Sequence, residues 1–429
     1  MLGWPAIFRL GLAQMALGAI VVLMTSTLNR IMVVELSLPA LVPGLLVGIH
    51  YALQLSRPGW GHWSDISRRR TPWIIGGMAV LGLGGFLAAL AVALWATHPT
   101  AGLMLSVLAY VLIGAGVGAG GTSVLAFMAA ATAPRRRAAA ATILWLMMIF
   151  GIAATAGVAG ALLDPYSPTR LLVIVGTVCL GAVVLTTLAV LGLEGDTPAP
   201  QPEVRQPLRE GVAEIWAEPR ARRFTGFVFL SMTAYFMQEL ILEPYAGLVF
   251  GFTPGQSTSL SGAQNGGVFV GMLAVGVAAT GLGIGSLRAW VVVGCLGSAA
   301  ALVGIALIGP LALDLILPLT VLLGFFNGVF AVAAIGTMMS LAGQGRADRE
   351  GTRMGLWGAA QSVAAALGGL TGAAAVDALR LVLRPDLAFG TVFAAEAVLF
   401  VLAAWMAWRV IEAGRSRAPL MTHLAGERA

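Results

Sequence analysis

Two short runs of polar side chains interrupt otherwise apolar stretches, and their spacing gathers groups with complementary chemistry. His50, Tyr51 and Gln54 lie just ahead of Arg57. In a helix, Gln54 falls one turn after His50 on the same face, and His50 lies roughly 10 Å from Arg57 along the axis. A neutral imidazole serves either as an axial ligand to a metal held in a macrocycle or as an interhelical hydrogen-bond donor, and both roles stay open. The second run holds Tyr235, Gln238, Glu239 and Glu243, followed by Pro244 and Tyr245. Glu239, roughly 20 Å into its apolar stretch, is expected as a protonatable or carbonyl-binding group, or as a carboxylate near the outer headgroups. Glu243 leans toward the headgroups. Gln264 and Asn265 should reach a similar depth from the following stretch. Gln14, Asn327, Gln361 and Glu396 are isolated polar sites. Glu396 falls mid-stretch, so its carboxyl must face protein, be protonated, or both. Asn29, Arg30 and Glu35 mark an outer hairpin end, where an exposed Arg30–Glu35 pair would contribute little.

The elements that position these residues follow from composition. Of 429 residues, 59% are hydrophobic and only 10% charged, with a mean hydropathy of +0.91. Too few charges exist to cover a soluble fold of this length, so the chain is expected to be an all-α polytopic membrane protein. The apolar runs are about twenty residues long and show no strand alternation, which selects spanning helices over a barrel. Twelve spans are expected, at 8–29, 40–57, 73–95, 102–130, 139–163, 171–193, 224–247, 259–281, 287–309, 312–341, 354–377 and 388–411.

All 25 basic residues are arginine. With the N-terminus in the cytoplasm, 21 of them fall in inward segments and 4 (Arg30, Arg170, Arg380 and Arg384) in outward ones, so both termini are expected on the cytoplasmic side. This positive-inside pattern accounts for the basic pI without nucleic acid. The first apolar run lacks a convincing small-residue cleavage site and is expected to stay as a helix. Cys179 and Cys295 lie inside apolar runs and read as small core residues. No phosphate-binding glycine loop, metal cluster or paired Asp-rich motif is present, so the chain is not expected to be an enzyme or to require a cofactor.

The polar stretch 194–223 divides the spans six and six. It is expected to be a cytoplasmic linker, with a short surface helix over Pro207 to Arg220, between bundles at 1–193 and 224–429. Arg137 to Asp164 runs from an arginine cluster through Trp145 to a terminal Asp. Arg349 to Asp377 repeats that order, with Trp357 at the same offset from its arginine, so the halves look duplicated. The glycine-rich run Gly114 to Gly121 reads as tight helix packing.

The loop from Gly61 through Asp65 to Arg69 and Arg70 resembles the loop between the second and third helices of the major facilitator superfamily. The resemblance implies two six-helix bundles and a loop that holds one access state. The fourth span lacks the arginine of many proton-coupled exporters, and the equivalent second-half loop keeps only Arg288. A narrower resemblance rests on Leu10 to Gly18, Leu28 to Leu36, His50-Tyr51 and Ser64 to Trp73. These segments are similar to the bacteriochlorophyll-delivery (PucC/LhaA) family of light-harvesting assembly proteins, and in length to its shorter members labelled bacteriochlorophyll synthase chain. That resemblance implies a factor that handles bacteriochlorophyll or a precursor during light-harvesting complex assembly in a photosynthetic bacterium. Light-harvesting subunits and pigment-synthesis enzymes are the partners implied, and bacteriochlorophyll the group bound. The pigment-binding candidates are Gln14, Asn29, Arg30, His50, Tyr51, Gln54, Tyr235, Gln238, Glu239, Gln264, Asn265, Asn327, Gln361 and Glu396, with His50 as a candidate axial ligand to pigment magnesium. The alternative is a proton-coupled small-molecule transporter of the same fold, using Glu239 or Glu396.

Overall fold

The computed structural model describes residues 2–57, 59–60, 63, 69–133, 136–194, 216–342 and 350–411, and no strand occurs among them. Gly61 and Asp65 of the loop motif and residues 195–215 of the expected linker, with most of its surface helix, lie outside the described residues. Eleven helices are long and apolar enough to cross a membrane, and Leu41–Ser56 is a shorter apolar helix between the first two of them. Together they make the twelve expected elements of a multi-pass membrane protein. In chain order they are α1 (Trp4–Glu35), α2 (Leu41–Ser56), α3 (Thr71–Trp95), α4 (Pro99–Ala131), α5 (Arg137–Leu163) and α6 (Pro168–Val190). The second half holds α7 (Pro219–Phe250), α8 (Pro254–Val275), α9 (Leu287–Ile308), α10 (Ile316–Ala342), α11 (Glu350–Arg380) and α12 (Pro385–Val410). The near face carries the start of α1 and the end of α12, and the far face carries the hairpin between α1 and α2.

Many of these helices open on proline, whose missing N–H costs nothing in the first turn. Ser167 caps α6 by accepting from the Arg170 N–H, and Thr253 with Gln256 forms a capping box on α8. Glu194 accepts from the N–H groups of Arg70 and Thr71 at 2.6 and 2.9 Å, placing negative charge at the start of α3. Arg9 does the converse, donating to the Ala189 carbonyl at 2.9 Å and the Leu191 carbonyl at 2.6 Å where α6 ends.

The helix contacts repeat across the halves. In the first, α1 packs on α5 and α6, and α3 on α4 and α6; in the second, α7 packs on α11 and α12, and α9 on α10 and α12. The largest buried core is drawn wholly from the second half, and the next from the first half with Leu240 inserted from α7. Two crossings join the halves, α2 against α11 and α5 against α8. Small residues make both close: a Cβ on Gly262 would lie 2.7 Å from the Gly157 nitrogen, and one on Gly44 would lie 3.2 Å from Ala373. In α4, a Cβ on Gly114 would meet the His50 carbonyl at 2.9 Å, so the glycine run serves packing as its spacing suggested.

Two helices differ from the expected spans in ways that move polar residues. α1 does not end at Asn29 but continues to Glu35 through wide π turns at Leu23–Leu28 and Ile31–Glu35. Asn29 and Arg30 are consequently buried. α7 continues through a tight turn at Gln238–Leu240 to Phe250, which keeps Glu243 inside the protein rather than at its outer boundary.

Candidate functional site

Between the halves lies a cavity with about 1660 Å³ of empty space, measured out to its open mouth. Its far end is closed by hydrogen bonds that cross from one half to the other. Ser26 donates to Glu243, Asn29 donates to the Leu240 carbonyl at 2.8 Å, and Thr258 donates to Thr27 at 3.2 Å. Arg30 donates to Glu35 and, at 2.6 Å, to the Phe252 carbonyl in the other half. The expectation of an exposed, weak pair is thus corrected. Arg30 is 2% exposed, so removing Glu35 would strand a desolvated charge.

The two aspartates that mark the internal repeat complete this closure. Asp164, where α5 ends, accepts from the Thr253 hydroxyl at 2.5 Å and the Gly255 N–H at 3.1 Å, at the start of α8. Asp377, near the end of α11, accepts from the N–H groups of Ala40 and Leu41 at 3.0 and 2.8 Å, at the start of α2. Each carboxylate satisfies orphan donors of a helix in the opposite half, where the helix dipole also favours it.

Nearer the open end, one wall of the cavity is polar. Tyr51 donates to Glu239 at 3.3 Å and packs edge-on against Phe236, linking α2 to α7. His50, Gln54 and Arg57 follow along α2 and just past its end. Arg57 can only donate, and it donates to the Gln54 carbonyl oxygen. The Gln54 amide therefore turns its NH2 toward His50 Nε2, 2.9 Å away, and that nitrogen must accept. A neutral imidazole with an accepting Nε2 carries its proton on Nδ1, and Nδ1 has no partner. In this arrangement the Nε2 lone pair is engaged by Gln54, so ligation of magnesium by His50 would require that contact to open.

The apolar part of the lining is Trp145, Met148, Ile149 and Ile152 of α5 packed with Val268 and Met272 of α8, which also brings Ser261, Gln264 and Asn265 to the cavity. Of the residues singled out in the sequence, His50, Tyr51, Gln54, Tyr235, Gln238, Glu239, Gln264, Asn265 and Gln361 come together on this one cavity. Gln238 keeps an unpartnered Oε1, Asn265 donates to the Ser261 carbonyl at 3.0 Å, and Gln361 reaches the Met232 sulfur at 3.4 Å. The others lie elsewhere. Asn29 and Arg30 belong to the far closure, and Gln14 is buried within the first half. Asn327 accepts from Ser298 at 2.8 Å between α9 and α10. Glu396 is fully buried on α12 with neither oxygen partnered.

Sequence reasoning missed Arg57, Trp145, Thr25, Ser26, Glu243 and Ser261 as cavity residues. A signal existed for the first, since Arg57 is seven positions after His50 and shares its face. The Thr25-Ser26-Thr27 cluster inside an apolar span was the other.

Residues 27–415 match the sequence model described as PUCC protein. The chain belongs to the PUCC protein family. It is 64% identical over 427 residues to the "Bacteriochlorophyll synthase 44.5 kDa chain" of Rhodobacter capsulatus, covering 99% of this chain and 100% of that one. It is 29% identical to "Protein PucC" of Rhodobacter capsulatus, over 95% of this chain and 92% of that one. Among solved structures, a bacterial homologue of the human lysosomal transporter Spinster, inward-facing and unoccupied, superposes with a TM-score of 0.72. It shares 16% identity and is matched over 96% of this chain and 98% of that one. The PUCC chain therefore has the major facilitator fold expected from its loop and span pattern, and one of its relatives is named for bacteriochlorophyll.

Proposed function

We propose that this PUCC-family protein handles bacteriochlorophyll, or a precursor of it, during assembly of light-harvesting complexes. On this reading it is a carrier or assembly factor and not an enzyme. It works in the inner or intracytoplasmic membrane of a photosynthetic bacterium with the near face toward the cytoplasm, beside antenna subunits and pigment-synthesis enzymes. The observation that carries the reading is the mixed lining of the cavity. A flat, largely apolar macrocycle with a few polar substituents needs an apolar wall for its ring and a small set of fixed polar groups for its edge. Trp145, Met148, Val268 and Met272 supply the first, and His50, Gln54 and Glu239 the second. The names of the relatives point to the same pigment. The test is to purify the tagged chain from photosynthetically grown cells and record the absorption spectrum of the eluate. Bound pigment and co-purified antenna subunits are expected; a colourless protein that also fails to bind added bacteriochlorophyll would sink the proposal.

A second reading, proton-coupled transport of a small molecule, is favoured by one feature. Glu239 meets the Tyr51 hydroxyl across the bundle interface, where a proton-dependent change in one half would be felt by the other. Uptake into liposomes that follows a pH gradient and disappears in Glu239→Gln would support this reading over the first.

A further inference from the structure

Arg57 stands out among the cavity residues. It lines the cavity near its mouth, its Nε has no partner, and no carboxylate among the described residues pairs with it. One neutral amide, Gln54, accepts from the guanidinium, and that amide is committed to His50 on its other side. The cavity's carboxylates are engaged elsewhere, Glu239 with Tyr51 and Glu243 with Ser26. A half-buried guanidinium without a counter-ion is costly in a low-dielectric setting, and its planar donor fork matches a carboxylate. A neutral pigment ester would offer that fork only carbonyl acceptors and no countercharge.

We infer that the cavity is built for an acidic tetrapyrrole, a pigment whose propionate side chain is a free carboxylate, with Arg57 as its counter-ion. This rests on the pigment-handling reading and names the chemical form of the pigment. The charge layout also orients the ligand. The carboxylate sits on Arg57, while the ring lies against Trp145. Loss of the free acid by esterification removes the charge that Arg57 holds, so the esterified pigment is the weaker ligand.

The experiment compares two probes that differ only in that charge, bacteriochlorophyllide and its methyl ester, titrated against the purified full chain in neutral detergent. The free acid is expected to bind about tenfold or more tightly than the ester. Arg57→Gln should abolish that preference by weakening the acid alone, and Arg57→Lys should restore part of it. Retained ester binding shows that each variant is folded. Equal affinity for acid and ester in the unaltered chain, or a preference that survives Arg57→Gln, overturns the inference while leaving pigment handling intact. Failure of both probes to bind overturns the pigment reading and the inference with it. Repeating the titration with phosphatidylglycerol present separates two oxyanion sources. A preference that persists supports the pigment carboxylate, whereas one that vanishes assigns Arg57 to a lipid headgroup and overturns the inference.

Discussion

At the far end of the molecule polar groups of one half bond to groups of the other, while along the cavity wall the polar contacts run mostly within one half. Asp164, Asp377, Ser26, Asn29 and Arg30 each find a partner in the opposite half. His50 Nδ1, Arg57 Nε and Gln238 Oε1 find none, although the residues stand together on one cavity. Unsatisfied buried atoms occur in both places, since Asn29 Oδ1, Arg30 Nε and Glu243 Oε2 of the closure also lack a partner, so the contrast lies in which contacts cross between the halves. Glu396 is a third case. It is as unsatisfied as His50 but does not line this cavity, so the same physics predicts a cost at that site.

The sharpest way to break this contrast is at the closure. Replacing Asp164 or Asp377 with Ala removes a charged acceptor from two donors and should destabilise the closed far end by about 1.5–3 kcal/mol in each case. The two sites share no partner, so the double variant should be close to additive. Thermal unfolding together with labelling of a far-face cysteine would register it as a lower Tm and faster labelling; an unchanged labelling rate in the double variant would show that these carboxylates do not hold the halves together.

On the cavity side the expected loss is in binding rather than in folding. Trp145→Ala should weaken pigment binding by about 2 kcal/mol, roughly thirtyfold in Kd, through lost apolar contact. His50→Ala removes one neutral hydrogen-bond donor and should cost about 1 kcal/mol, roughly fivefold in Kd, with Tm unchanged. If His50→Ala instead abolished binding and altered the pigment spectrum, the imidazole would be a magnesium ligand and the Arg57–Gln54–His50 chain would have to rearrange on binding. The smallest effect is expected at Glu396. Glu396→Leu replaces an unsatisfied buried carboxyl with an apolar side chain and should leave Tm unchanged or raise it slightly. A clear loss of stability there would reveal a partner for this carboxyl.

Much of the cavity was legible because a polar residue inside an apolar span is conspicuous whatever surrounds it. His50, Tyr51, Gln54, Gln238 and Glu239 were found on that ground alone, and all five meet on one cavity. Arg57 and Glu243 were misread because their meaning depends on where a helix ends and what covers that end. An arginine after a short span looks like a topology signal, and a glutamate late in a span looks like a headgroup contact. Packing of α2 against α11, and continuation of α7 to Phe250, turned both inward. The repeat does not extend to the surroundings of its tryptophans. Trp145 and Trp357 share an offset from arginine, yet Trp145 lines the cavity while Trp357 is fully buried, donating to Thr225 at 3.1 Å.

Sequence by itself determined that the chain fills a membrane with helices, how many there are, and that two similar halves face each other. Hydrophobic length, arginine placement and internal repetition are local properties that survive without any knowledge of contacts. Only the tertiary structure decided which polar groups are paired and which wait. That outcome depends on atoms brought together from α2, α7 and α11, and on the direction in which the Gln54 amide must turn once Arg57 claims its oxygen.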